Sequence, residues 1–221
     1  MKNLGALEKN VRKHQLIDLT ERVAQISGVE KPIICGTQSV FAYTSFVPDT
    51  VSRSVECDFL LMNLDPSARR NVLEHLGIDS DFREQEGYYA DPVGAFTVVL
   101  PPEWQERLRP LQDENGQTVT YCTEIYDTAA SKLIAGREKD FVFLRELLQR
   151  GLIEVERFVA RVVTVKDMPQ AVVLPDRIKG LLTAMRKERS SIDLRPLQQL
   201  GQELERYLKK PDSPDKSGPV R

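Results

Sequence analysis

The segment "SVECDFLLM", residues 54–62, constrains the fold more than any other stretch of this chain. Its apolar and aromatic content reads as a strand, and side chains on a strand alternate between two faces. Val55, Cys57, Phe59 and Leu61 then share one face, while Glu56, Asp58 and Leu60 share the other. A strand this apolar is mostly buried, and two carboxylates on one buried face are costly unless something positive lies beside them. The expectation is a sheet with one face packed against a core and the other opening, at Glu56 and Asp58, onto a site.

The flanking sequence supplies the rest of such a sheet. "KPIIC" is a short apolar strand that stops at Gly36, and "TQSVFAYT" after it fits a short helix. Residues 4–28 carry Leu4, Leu7, Val11, Leu16, Leu19, Val23 and Ile26 at helical spacing, with Gly28 as the stop. "DPSARRNVLEHLG" is a helix capped by Asp65, with Pro66 in its first turn and Gly77 at its end. The polar "IDSDFREQEGYYADPVG", with Gly87 and Gly94, reads as a loop, "AFTVVLP" as a strand, and "ERLRPLQ" with "QTVTYCT" as two strands around the turn "ENGQ". From Glu124 to about Lys210 every segment is helical in pattern, and "PDSPDKSGPVR" has no apolar anchor and reads as a disordered tail. The expected class is α/β (α+β): a mixed sheet flanked by helices, then a C-terminal helical subdomain. The divisions expected are an N-terminal helical segment at 1–29, an α/β core at 30–123, a helical subdomain at 124–210 and the tail at 211–221.

Composition narrows the class of function. With 41 % apolar and 29 % charged residues the chain is of the ordinary globular type. It holds no run of about 18 apolar residues, which excludes a membrane-spanning helix, and "MKNLGALEKNVRKHQL" lacks the apolar core of a signal peptide, so a cytoplasmic location is expected. Cys35, Cys57 and Cys122 are far apart and His14 and His75 isolated, which argues against a disulfide framework or a structural zinc site. Residues 1–150 hold 17 basic and 23 acidic side chains, whereas residues 151–221 hold 14 and 10. The basic back half suits a polyanionic partner, with Lys179, Arg186, Lys187 and Arg189 as its contacts, or is a solvated helix face.

Two constellations carry chemistry. At Gly36-Thr37-Gln38 a glycine ends a strand and opens a helix, where backbone N–H groups can approach a phosphate. Glu56 and Asp58, on the same side of the next strand, can share a hard divalent cation, whose ligands are oxygens and whose shell often includes substrate phosphate. The second lies in "DTAASKLIAGREKDFVFLRELL". Lys132 sits near the inner edge of one helical segment, and Gly136 breaks it so that Arg137, Lys139 and Asp140 open the next. These cations could neutralise a triphosphate, with Asp140 orienting them or acting as a base. The alternative is a solvated face of i,i+4 pairs.

The order of these elements resembles the minimal nucleotidyltransferase superfamily, and within it the AbiEii-like toxin nucleotidyltransferases and the related DUF6036 group. In that last group "CGSQSV", "S-x-E-x-D", "GYYA-x-x-VG", "LPEGWQERL" and "SKL-x-AGREKD" recur, and this chain has "CGTQSV", "SVECD", "GYYADPVG", "LPPEWQERL" and "SKLIAGREKD" over roughly residues 30–150. The resemblance implies a minimal nucleotidyltransferase-like sheet in which Gly36, Thr37 and Gln38 hold nucleotide phosphates. It also implies that Glu56 and Asp58 bind Mg²⁺ or Mn²⁺, that Arg137 and Lys139 contact the nucleotide, and that Asp58, Lys132 and Asp140 are catalytic. The reaction implied is transfer of a nucleoside monophosphate from an NTP to an acceptor such as tRNA, with a cognate antitoxin as partner protein. The sequence departs from the superfamily pattern in using Glu56 for the first carboxylate, in the long spacing from Gly36 to Glu56, and in "AFTVVLP", which offers no third carboxylate. A non-catalytic binding protein on the same fold, or a protein-modifying transferase, are the alternatives.

Overall fold

The computed structural model describes residues 11–44, 47, 54–62, 65–94, 97–187 and 192–209. The expected helical start at 4–10, Arg189 and the expected disordered tail lie outside the described residues. Among the latter, five strands form one mixed sheet flanked by eight α-helices, the later ones C-terminal to it.

The chain enters through α1 (Lys13–Ser27), whose Leu16, Leu19 and Val23 are buried at helical spacing and which ends at Gly28 in the left-handed region. Strand β1 (Ile33–Cys35) leads straight into a 3₁₀ helix (Gly36–Ala42), and β2 (Glu56–Leu60) follows. Helix α2 (Pro66–Leu76) is capped as its sequence predicts, with the Asp65 carboxylate accepting from the Ser67 N–H at 2.6 Å. Next come α3 (Asp81–Glu86), β3 (Tyr89–Val93), a 3₁₀ turn (Trp104–Arg107) and the hairpin of β4 (Arg109–Gln112) and β5 (Thr118–Cys122). Helices α4 (Ile125–Ala135), α5 (Glu138–Gln149), α6 (Val155–Val163), α7 (Leu174–Lys187) and α8 (Arg195–Leu208) follow.

The strand order is β3-β2-β1-β5-β4. Strand β2 runs antiparallel to β1 with Asp58 opposite Cys35, and β3 joins it in parallel with Asp91 opposite Asp58. The face carrying Ile34, Cys57, Phe59, Ala90, Leu111 and Cys122 is packed under apolar residues of α1 and α2. A second cluster, formed by α4 to α8, reaches the sheet through Val40 of the 3₁₀ helix. A third, smaller cluster of Cys35, Leu60, Val93 and Leu100, with Trp104 packed against it, covers part of the β2 face that carries Glu56 and Asp58, and the candidate site lies beside it.

Two expectations are corrected. The segment read as a loop contains α3 and β3, and "AFTVVLP" is no strand at Thr97–Leu100, its Ala95 and Phe96 lying outside the described residues. Pro92 deters a strand reading, yet β3 is the sheet's edge, where a residue without an N–H is tolerated. Val98, Val99 and Leu100 have strand-forming side chains but spend them on the wall of a cleft rather than on a ladder.

Candidate active site

The cleft on the Glu56–Asp58 face of the sheet holds about 150 Å³ and is lined from β1 to β3, α4 and the start of α5. Its floor is acidic. Glu56 and Asp58 stand on alternate residues of β2, and Asp91 stands beside Asp58 on the parallel β3. One carboxylate oxygen from each lies within 4.8 Å of the others, so the three could hold a metal ion. Asp91 therefore supplies the third carboxylate that the sequence reading found missing. The stretch around it, "YYADPV", shows no apolar–polar alternation and carries Pro92, so its sequence alone does not mark it.

The chemistry of this donor set fits a hard divalent cation. Burial pushes the Asp58 carboxyl up to about 7, only partly offset by Lys132, with Glu56 and Asp91 adding like charge. Burial and the neighbouring Glu56 likewise raise Asp91. Asp58 and Asp91 both hold their protons more tightly than usual, and a cation bound among the three oxygen donors would relieve that.

The wall opposite is basic. Lys132, near the end of α4, is almost fully buried, with its ammonium 3.4 Å from Asp140 Oδ1 and over the Phe143 ring. Asp140 is itself buried and accepts from Arg137 three times: from its backbone N–H at 3.1 Å, Nε at 2.8 Å and Nη2 at 3.2 Å. Burial favours its neutral form, but the Arg137 hydrogen bonds and the Lys132 charge prevail and hold Asp140 below its ordinary value. Lys139, half-exposed, reaches Glu56 Oε2 at 3.5 Å. The break between α4 and α5 that makes this corner possible is Gly136, in the left-handed region, where a Cβ would run into the Arg177 side chain.

The Gly36 turn closes the end of the cleft. Gly36 has φ +70, and a Cβ there would overlap the Asp58 carboxylate, so only glycine lets the strand end turn this close to the acid cluster. A buried hydroxyl chain holds it. Ser39 Oγ donates to the Gly36 carbonyl at 2.8 Å and lies 3.0 Å from Thr128 Oγ1, which is 2.7 Å from Thr123 Oγ1. Each hydroxyl has one proton. Since that of Ser39 goes to Gly36, Thr128 must donate to Ser39 and Thr123 to Thr128. Thr128→Val is expected to cost about 1–3 kcal/mol in urea unfolding, because it strands two buried hydroxyl partners, while Thr128→Ser stays close to wild type. Equal stability of the valine variant would show that the chain does not hold the turn.

Of the residues expected to act, Gly36, Glu56, Asp58, Lys132, Arg137 and Lys139 line the cleft together. Thr37, Gln38 and Asp140 are not among its lining residues. Gln38 is buried and donates from Nε2 to the Ser54 carbonyl at 2.7 Å, tying the turn to the start of β2. Asp140 sits behind Lys132 and Arg137 and fixes both. In the basic back half Lys179 pairs with Glu205 at 2.5 Å and lies 3.8 Å from Asp176, whereas Arg186 and Lys187 are exposed at the end of α7.

A family model described as a nucleotidyltransferase of unknown function, DUF6036, matches residues 14–185, well over half of the 221-residue chain. The chain belongs to the DUF6036 family. The match takes in nearly all of α1 and most of α7 and stops before α8, so it includes the helices packed on the sheet and most of the cluster behind the cleft. Neither a search of curated proteins nor one of solved structures returned a match. Among the described residues no helix is long and apolar enough to cross a membrane.

Proposed function

We propose that this chain is a divalent-metal-dependent nucleotidyltransferase that moves a nucleoside monophosphate from an NTP to an acceptor hydroxyl. The observation that carries the proposal is the convergence of Glu56, Asp58 and Asp91 on one point, facing Lys132, Arg137 and Lys139 across a cleft that the Gly36 turn closes. Glu56, Asp58 and Asp91 would hold Mg²⁺ or Mn²⁺, which supplies Lewis-acid polarisation of the phosphoryl oxygens. The Gly36 turn and the three cationic side chains bind the β- and γ-phosphates, and Lys132 and Arg137, fixed by Asp140, face the charge that builds on the leaving group. The acceptor oxygen bonds to the α-phosphorus, the bond to the bridging oxygen breaks, and pyrophosphate leaves. Asp91 stands on the edge strand, where an acceptor can approach, and takes the hydroxyl proton.

In this proposal the acceptor is an RNA such as tRNA, approached by the exposed Arg186 and Lys187, and the chain is the toxin half of a toxin–antitoxin or phage-defence pair. The test is incubation with α-labelled NTP and Mg²⁺ in the presence of total RNA or total protein. Label is expected in RNA and not in protein, and to be lost with chelator. Label in protein alone would move the acceptor to a protein hydroxyl, and no metal-dependent transfer to either would sink the catalytic reading.

A further inference from the structure

We propose that the apolar furrow adjoining the acid cluster is the base-binding end of the nucleotide site, where the ring of the bound nucleotide stacks on Trp104 with the Gln170 amide at its edge. This rests on the nucleotide reading above and adds to it the part of the ligand that phosphates and metal do not address.

The furrow holds about 190 Å³ and is lined by Leu60, Val98, Leu100, Trp104, Met168 and Gln170. It shares Val98 and Leu100 with the charged cleft, so the two are neighbours along one wall. Strand β2 sets their order. Glu56, Asp58 and Leu60 lie on one face, and two residues of strand place Leu60 about 7 Å beyond Asp58, close to the span of a sugar. The surface thus runs from carboxylates and cations to an apolar slot across one ribose length. A nucleoside triphosphate has the same polarity, charged at one end and flat and apolar at the other.

The slot is also built with care at Trp104. The preceding Glu103 has φ +60, the single non-glycine in the left-handed region among the described residues. Strained backbone of this kind persists only where its surroundings enforce it, and it clusters at ligand sites. Here Arg107, at the other end of the same turn, supplies the enforcement: it donates to both Asp127 oxygens, at 3.0 and 3.1 Å, and to the Pro102 carbonyl at 2.6 Å. The motif "LPPEWQERL" is then a pinned turn that presents an indole, left only partly buried, to the slot. Met168, which precedes the 3₁₀ helix Pro169–Val173, and the exposed Gln170 within it complete the lining. An amide there can both donate to and accept from the edge of a heterocycle.

Trp104 is the chain's single tryptophan, so its emission reports this slot alone. The experiment measures binding of ATP, GTP, CTP, UTP and inorganic triphosphate in Mg²⁺ by calorimetry and by tryptophan fluorescence. At least one NTP is expected to bind roughly ten-fold or more tightly than inorganic triphosphate and to quench Trp104, whereas inorganic triphosphate binds without quenching. Trp104→Leu, which keeps the wall apolar, should weaken that NTP roughly ten-fold and leave inorganic triphosphate unchanged. Gln170→Ala, at an exposed position that does not threaten folding, should narrow the differences among the four NTPs. Equal binding of NTP and inorganic triphosphate with a silent Trp104 overturns the base site while leaving the metal–phosphate site standing. No Mg²⁺-dependent binding of either overturns both.

Discussion

Asp58→Asn is expected to stabilise the metal-free protein above neutral pH while reducing label transfer by roughly 10³-fold or more. The two effects have one cause. The Asp58 carboxyl titrates near 7 in the fold against an ordinary value of 3.8, because it is buried beside Glu56 and Asp91. Between about pH 4 and pH 7 the native state therefore holds a proton that the unfolded chain has released, and stability falls as pH rises through that window, by up to about 4 kcal/mol. Asparagine keeps the shape, has no proton to lose and takes one of three like charges from the cluster, so thermal unfolding of the variant should be flatter with pH and its midpoint higher than wild type at pH 8. Mg²⁺ should reverse the ranking by stabilising wild type and not the variant. In wild type the metal's affinity should rise with pH up to about 7, as Asp58 gives up its proton. A variant less stable than wild type at pH 8 would mean that Asp58 is not strained by its neighbours, and one that Mg²⁺ stabilises as much as wild type would mean that Asp58 is not a ligand.

The half of this cluster on β2 is legible in the sequence because alternation on an apolar strand puts Glu56 and Asp58 on one face whatever the rest of the fold does. The caps at Asp65 and Gly28 and the hairpin around "ENGQ" are equally local, each set by residues within a turn of one another. Asp91 is not local in this sense. It matters only because β3 lies parallel to β2 in a register that sets Asp91 opposite Asp58, and the proline that obscures the strand is acceptable only at a sheet edge. The basic wall is intermediate. The spacing of Lys132, Arg137, Lys139 and Asp140 places them at a helix break and lets Asp140 hold Arg137 three residues away, but that Asp140 also reaches Lys132 and that Lys139 reaches across to Glu56 follows from how α4, α5 and the sheet pack. Least legible is Asp127, one charge among several in "DTAASKLIAGREKD", because its partners Arg107 and Arg161 come from segments 20 and 34 residues away.

Asp127→Ala is expected to destabilise the fold by about 3–5 kcal/mol in denaturant unfolding, more than the loss of either of its cationic partners. Asp127 is fully buried in the first turn of α4 and takes hydrogen bonds from Arg107 and from Arg161, which comes from α6. Arg161 also reaches Glu124 at 3.1 Å, and Glu124 in turn caps α4 by accepting from the N–H groups of Tyr126 and Asp127. Removing Arg107 leaves Asp127 paired with Arg161, and removing Arg161 leaves it paired with Arg107, so each single loss should cost less, about 1–3 kcal/mol. Alanine at 127 instead leaves two guanidinium groups, each only partly exposed, without their shared anion. The structural consequence follows from what the joined elements carry. Helix α4 bears Thr128 and Lys132, the turn ending at Arg107 bears Trp104, and Asp127 joins them, so one buried carboxylate keeps the charged cleft and the apolar furrow in register. A double-mutant cycle between Asp127 and Arg107 should return a coupling of about 1–3 kcal/mol, and Asp127→Ala should weaken NTP binding even where urea unfolding shows the variant still folded. Additive effects of the two substitutions would show that the turn and the helix are held independently, and that the cleft owes its shape to the apolar packing behind α4 alone.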